Sequence, residues 1–517
     1  MAHPVQLAPA NMKVIGSVDE RYQSFNIEML EVTGGRFWKP YGSARNATSS
    51  GAGEMARTAP GSKGKGDEED VPSGMDPALF EYRAAIDLAH PRLRLLASAL
   101  GPIYLRISGT WANSTYFADT DSPPASPPEG FNSVLTRQQW LAAIAFSRAV
   151  DAPIVTSMAV SEGTRDDNAV WQPDHAREWL AFTKRHGGAI AAAEYFNEPT
   201  MATMGGAPQG YSAADFGRDF GIFQAMMRRE FPDTALLGPG SVGEADADWA
   251  VASGGYGSFH ILKADDLASY TRDADAFSYH HYGAVSLRCA PMGHQTSPEQ
   301  ALSEEWLART DQTLAYYRRV RDQWMPGKHF WNTETGETAC GGNPWAGTFL
   351  DTFRYLDQLG RLARQEVDVV LHNTLAASDY SVINEGDFSP KPSYWGALLW
   401  RRLMGTTVLD TGFTNGPGLH VYAHSLRGAA GGVALLVLNT DRAASRTLAI
   451  PVAAERFTLA ATSLTDRSVT LNGTPLELDG DALPAVAGKP VEAGEPTFAP
   501  ATITFLAIPG AQNEASL

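Results

Sequence analysis

The feature that most restricts the fold of this 517-residue chain is an alternation between two kinds of segment. Short runs rich in β-branched and aromatic residues take turns with longer segments of helical periodicity from Ser24 to His372. The short runs are Ser24–Met29, Ile103–Ile107, Pro153–Met158, Ala192–Phe196, Ala235–Gly238, Ala276–Tyr282, Phe330–Glu334 and Val367–His372. Helices are expected over about 77–100, 213–231, 304–324 and 346–364, after the capping box Thr136-Arg137-Gln138-Gln139, and from Asp174. Each run but the last is followed by such a helix. Strict alternation implies a parallel sheet, and eight units imply a closed (β/α)8 TIM barrel, an α/β fold. Reactive side chains in that fold sit at the C-terminal ends of the strands.

Two strand ends carry an acid. Ala192-Ala193-Glu194-Tyr195-Phe196 runs into Asn197-Glu198-Pro199, where proline stops the strand and delivers Glu198 to the lip of the fourth unit. Phe330-Trp331-Asn332-Thr333 delivers Glu334 at the seventh. Either motif alone is a weak signal, and their place on non-adjacent strand ends of one barrel is what singles them out. Cleavage of a glycosidic bond needs two carboxyl groups across it, roughly 5 Å apart when configuration is retained. Glu198 is read as the acid/base, its proton held by a nearby negative carboxylate. Glu334 is read as the nucleophile, with Glu337 as its rival, because Glu334 directly continues the strand. Asn197 is placed to meet the sugar 2-hydroxyl. Glu194 reads as structural.

Beyond about Gly405 helical periodicity stops. Leu419–Tyr422, Val433–Leu438, Thr447–Ile450 and Thr502–Phe505 alternate between Gly, Asn and Asp turns, the pattern of an antiparallel β-sandwich. The division expected is therefore a strand from 1–20 joining that sandwich, a catalytic barrel over 21–404 and the sandwich over 405–517. The Gly/Ser/Ala-rich stretch near 41–75, with its acidic run Asp67–Asp70, reads as a surface insertion.

The stretches just quoted resemble glycoside hydrolase family 79, the heparanase and β-glucuronidase family of clan A. Further matches are Phe25-Asn26-Ile27-Glu28, Tyr104-Leu105-Arg106 with Gly109-Thr110, His280-His281-Tyr282, Gly341-Gly342, Asp379-Tyr380 and Pro392-Ser393-Tyr394-Trp395. The resemblance implies a glucuronate before the cleaved bond, with Glu28 and Thr110 touching sugar hydroxyls and Tyr282 beside the nucleophile. It also implies that the backbone of Gly341 and Gly342, helped by Tyr380, receives the uronate carboxylate. Glycine lets an anion approach backbone N–H groups closely. The activity implied is endo-cleavage of heparan sulfate-type glycans or exo-β-glucuronidase action, without a cofactor or metal. A clan A β-xylosidase or arabinofuranosidase is the alternative within the enzyme class, and a non-catalytic carbohydrate-binding barrel the alternative outside it.

Charge and cysteine content set limits on partners. A net charge of -17 argues against nucleic acid as a partner and against a long polyanion without a local basic cleft, for which Arg106, Arg165, Arg272 and Arg288 are candidates. No apolar run reaches the roughly 20 residues of a membrane span. Met1–Glu20 lacks the apolar core of a secretory signal, as expected of a cytoplasmic chain or one whose leader was removed. Cys289 and Cys340 fall on one rim, which leaves both a bridge and two free thiols open. His280-His281 reads as pocket wall or hydrogen-bonded structure, because no third metal ligand stands at a metal-binding spacing. Asn46, Asn113 and Asn472 head glycosylation sequons, which count only on a secretory route.

Overall fold

The computed structural model describes residues 5–41, 71–250 and 261–516. Most of the expected insertion at 41–75, with its acidic run and the Asn46 sequon, lies outside the described residues.

Eight parallel strands close into a barrel: β1 (Gln23–Glu28), β2 (Leu105–Ser108), β3 (Ile154–Ser157), β4 (Ile190–Glu194), β5 (Ala235–Ser241), β6 (Ala276–His281), β7 (His329–Thr335) and β8 (Val369–His372). Closure is direct, with His372 of β8 opposite Phe25 of β1. Around them lie α1 (Pro91–Leu100), α2 (Arg137–Ala149), α3 (Asp174–Arg185), α4 (Ala213–Glu230), α5 (Arg309–Trp324), α6 (Phe349–Ala363) and α7 (Pro392–Leu403). The Thr136/Gln139 capping box forms reciprocally, and Trp140, Ala143 and Ile144 of α2 are buried as their spacing requires.

Three elements differ from expectation, the first being that among the described residues β5 is followed only by the short helix Ala264–Ala268. The helix expected over 77–100 begins only at Pro91, because a proline lacks the N–H of a helix interior and is suited to the first turn. Phe80–Arg83 before it is instead a strand, antiparallel to Gly35–Trp38. The eighth strand, expected without a helix, is followed by α7.

Side chains alternate along the inward face of the barrel, and that alternation prepares the site. Tyr104, Ala192, Ala276 and Trp331 form an apolar plug together with Val155, Leu237, Val369 and Leu371. Two residues further along three of these strands stand Arg106, Glu194 and Thr333, so the interior turns from apolar to polar toward the mouth.

Past the barrel, Met404–Leu409, His420–Leu426, Val433–Asn439, Thr502–Ile508 and Ala454–Ala460 are joined in one antiparallel sheet. Val14–Ser17 pairs onto its edge through Met404–Leu409. Val433, Leu435 and Val437 pack with Leu448 and Phe498 of a smaller three-stranded sheet. Ala434, Leu436 and Leu438 turn the other way, into the core shared with the barrel. Tyr422 lies so close to α6 that a Cβ on Gly360 would come within 2.4 Å of its ring. Beneath it Asp357 accepts hydrogen bonds from the Tyr422 hydroxyl and from His420 Nδ1, both at 2.5 Å. No helix of the described residues is long and apolar enough to cross a membrane.

Candidate active site

Strand β4 ends at Glu194, and Glu198 stands four residues beyond it. A side-chain clamp holds this extension. Asn113 donates to the carbonyl of Asn197 and accepts from its backbone N–H, each at 2.9 Å. Glu198 itself has φ 51° and ψ 61°, a left-handed conformation rare for a residue with a side chain and typical of functional sites.

Glu334 reaches the mouth by a local irregularity. Tyr279 lies opposite Asn332, but His280 lies opposite Glu334, so β7 carries one extra residue, Thr333. Such a slip re-aims the following side chain. Thr333 donates to Glu194 at 2.7 Å inside the barrel, and Glu334 also faces inward. One oxygen of Glu198, one oxygen of Glu334 and a ring nitrogen of His280 all lie within 4.8 Å of one another.

Arg106 organises the floor below them. It donates to Glu334 Oε2 at 2.8 Å, to Glu194 Oε2 at 2.9 Å and to Asn197 Oδ1 at 2.8 Å. Fully buried, the guanidinium is compensated by two carboxylates, the condition for a charge to be tolerated there. Asn197 thus spends its carbonyl oxygen on Arg106, leaving its amide nitrogen as the donor. Arg106 Nη2 lies 3.4 Å from His280 Nε2, and His280 Nδ1 lies 3.0 Å from Glu198 Oε1. Burial pushes His280 down to about 4, so its ring is neutral. With Nε2 facing a donor, the ring N–H is on Nδ1 and points at Glu198. His281, the next residue, faces outward and meets Thr313 of α5 at 2.9 Å. His280 thus stands beside Glu198 and Glu334 with both ring nitrogens engaged, Nδ1 with Glu198 and Nε2 with Arg106.

A second network lines the opposite wall. Tyr282 donates to Glu334 Oε1 at 2.7 Å. Asn373, just past β8, reaches Glu28 Oε1 at 3.0 Å, the Tyr282 hydroxyl at 3.0 Å and the Tyr380 hydroxyl at 2.9 Å. Nothing in the sequence marked Asn373, whose only local signal is its place after a strand. Glu28 Oε2 is buried without a partner. Burial, followed by the charge of Glu334, holds the Glu28 carboxyl well above the usual range. Gly109 makes room for it: at φ +95°, a Cβ there would fall 1.5 Å from Glu28 Oε2. Thr110, next in the chain, lines the pocket.

The electrostatics of Glu198 depart from expectation in their cause. Its carboxyl is pushed up to about 7, but chiefly by burial, with Glu194 the neighbouring negative charge and Arg106 opposing. Glu337 is also pushed up, to about 7, by burial and Asp351. It does not line the pocket. It accepts from Thr338 and from both the backbone and side chain of Asn343, folding the loop after β7.

That loop carries Gly341 and Gly342 at φ +79° and +83°. Ala339 and Cys340 line the cavity, while the two glycines lie against Trp38 and Tyr380 respectively. Cys340 is bridged to Cys289, tying the loop after β7 to the segment after β6. The four arginines considered for a basic rim are each engaged by another side chain, and Arg288 stands beside the glycine turn, its Nη2 3.5 Å from the Gly342 carbonyl oxygen. Arg106 is under the site, Arg165 is paired with Asp219, Arg272 stacks on Trp324, and Arg288 is paired with Asp379.

The chain is similar in sequence to heparanases and in fold to solved glycosidases. No family model matches the chain. Heparanase-like protein 1 of Arabidopsis thaliana is 26% identical over 395 residues, covering 72% of this chain and 69% of its own. Heparanase of Mus musculus is 26% identical over 494 residues, covering 84% of this chain and 87% of its own. Among solved structures, a 4-O-α-L-rhamnosyl-β-D-glucuronidase from Fusarium oxysporum superposes with a TM-score of 0.62 at 13% identity, over 98% of this chain and 99% of its own. That last likeness is one of fold, and the fold is a (β/α)8 barrel with an appended antiparallel sheet domain.

Proposed function

We propose that the chain, which is similar to heparanases and a β-glucuronidase, belongs with them in glycoside hydrolase family 79 and is a retaining hydrolase of β-glucuronosyl linkages. The observation that carries the reading is the approach of Glu198 and Glu334 within 4.8 Å. An approach this close of one oxygen from each carboxyl favours direct displacement over the wider spacing of an inverting pair.

In this reading Glu334, ion-paired to Arg106 and hydrogen-bonded by Tyr282, attacks the anomeric carbon. As the C–O bond breaks, Glu198 gives its proton to the leaving oxygen. The Glu198 carboxylate then takes a proton from water, which attacks the same carbon and frees Glu334. His280 donates to Oε1 of Glu198, so the proton is carried on the other oxygen. Glu28 and the amide of Asn197 are the groups for sugar hydroxyls. The Gly341–Gly342 turn with Tyr380 is the place for the uronate carboxylate.

The test is hydrolysis of a nitrophenyl β-glucuronide, set against the matched β-xyloside and α-arabinofuranoside. The anomer formed first is read by NMR. Cleavage of the glucuronide with retention supports the proposal, and preference for either pentoside overturns the choice of sugar. Sizing the products of a heparan sulfate digest separates endo from exo action.

A further inference from the structure

The side of the pocket next to Glu198 is apolar. The chain that delivers Glu198 continues directly into Met201 and Met204, and these meet Val242 beyond β5, Ile261, Tyr282 and Met292 in one hydrophobic cluster. The residue that protonates the departing oxygen must face the departing group, and Met201 and Met204 line the same pocket as Glu198. Trp111 and Met75 extend this lining from the other side. Among the described residues lining the pocket, the ionisable carboxyl groups are Glu28, Glu198 and Glu334, and none is lysine, arginine or histidine.

We infer that the leaving-group subsite takes an apolar aglycone, of the aryl or alicyclic class, in preference to a sulfated sugar chain. The inference rests on the β-glucuronidase reading and deepens it. Methionines are long, unbranched and polarisable, and they mould to flat or irregular apolar groups and to aromatic edges. A site of this kind gains affinity from apolar area removed from water. A sulfate entering it would give up hydration, meet no lysine or arginine among the described lining residues, and approach the Glu334 carboxylate in a partly water-excluded space. The overall charge of -17 adds repulsion at longer range.

The experiment compares methyl β-glucuronide with 2-cyclohexylethyl β-glucuronide, whose leaving groups have closely similar acidity, and with heparan sulfate. The expected result is a kcat/KM at least tenfold higher for the cyclohexylethyl compound than for the methyl compound. Heparan sulfate should be cleaved more slowly than either. In Met204→Gln combined with Met292→Gln, the ratio between the two alkyl glucuronides should fall below threefold. Equal rates for the two alkyl compounds, a ratio unchanged by the double substitution, or preferred cleavage of heparan sulfate would each overturn the inference while leaving the β-glucuronidase reading intact. Failure to hydrolyse any glucuronide would instead remove that reading, and this inference with it.

Discussion

His280 Nδ1 lies 3.0 Å from Glu198 Oε1, and the other ring nitrogen faces the buried guanidinium of Arg106. A neutral imidazole so placed directs its N–H at the carboxyl that must carry the mobile proton. Glu198, pushed up to about 7 by burial, is protonated below that pH and loses its proton above it. The expected kcat/KM for an aryl glucuronide therefore falls above pH 7. An N–H bond favours the charged carboxylate. His280→Ala should accordingly move the alkaline limb to higher pH as well as slow turnover by about 10-fold or more. A profile that keeps its alkaline limb in place would show His280 to be structural only.

Glu334 and Glu337 separate cleanly by substitution. Glu334→Gln should lower kcat by roughly 10⁴-fold or more while glucuronate still binds, as judged by equilibrium titration. Glu337→Gln should keep turnover within about 10-fold and lower thermal stability instead, because its three hydrogen bonds fold a loop rather than face the cavity. The reverse pattern would exchange the two roles.

Gly109→Ala tests the seat of Glu28. Its Cβ would overlap Glu28 Oε2, and its positive φ adds strain of about 1–3 kcal/mol. Activity should fall by about 10-fold or more, together with a lower melting temperature. Full activity would mean that Glu28 does not need its present position.

The Cys289–Cys340 bridge closes a loop across 51 residues beside the Gly341–Gly342 turn. A chain-entropy estimate puts its contribution at about 4 kcal/mol. The pair Cys289→Ser and Cys340→Ser should lower the denaturation midpoint and raise KM for a glucuronide more than it lowers kcat. Unchanged KM would uncouple the bridge from the pocket.

At the junction of the barrel with the appended sheet, His420 is raised to about 9, first through the charge of Asp357 against the cost of burial. Asp357 is lowered to about 2 by His420 and Arg361. A raised histidine contributes stability that is whole below its unfolded value near 6.5 and is lost as pH climbs through about 9. A lowered aspartate contributes above its unfolded value near 4, with the loss complete as pH falls through about 2. Stability from this pair should therefore be greatest between about pH 4 and 6.5. His420→Ala should cost about 3 kcal/mol and flatten the alkaline decline in melting temperature. An alkaline decline unchanged by the substitution would place its origin elsewhere.

The alternation of strand and helix was enough to indicate an eight-fold parallel barrel, because side-chain period and turn chemistry are local properties. The same logic brought out Glu198 and Glu334 as acids delivered to strand ends, and the Val433–Leu438 run as a two-faced strand. Proline chemistry was misread once, at Pro91, where helical periodicity was extended through a residue that starts a helix. What the chain order did not reveal was contact through space. Arg106 and Glu334 are 228 residues apart and meet only because the barrel closes. An arginine next to a strand end looks like a rim charge until closure shows that its side chain points into the interior. Asn373 joins Glu28, Tyr282 and Tyr380, from the ends of β1, β6 and its own loop, a convergence with no local pattern. The extra residue in β7 and the pairing of Cys289 with Cys340 are likewise matters of register between distant segments. Local sequence determined which groups reach the mouth of the barrel, and tertiary closure decided which of them touch, since burial and hydrogen bonding depend on neighbours that the chain order does not reveal.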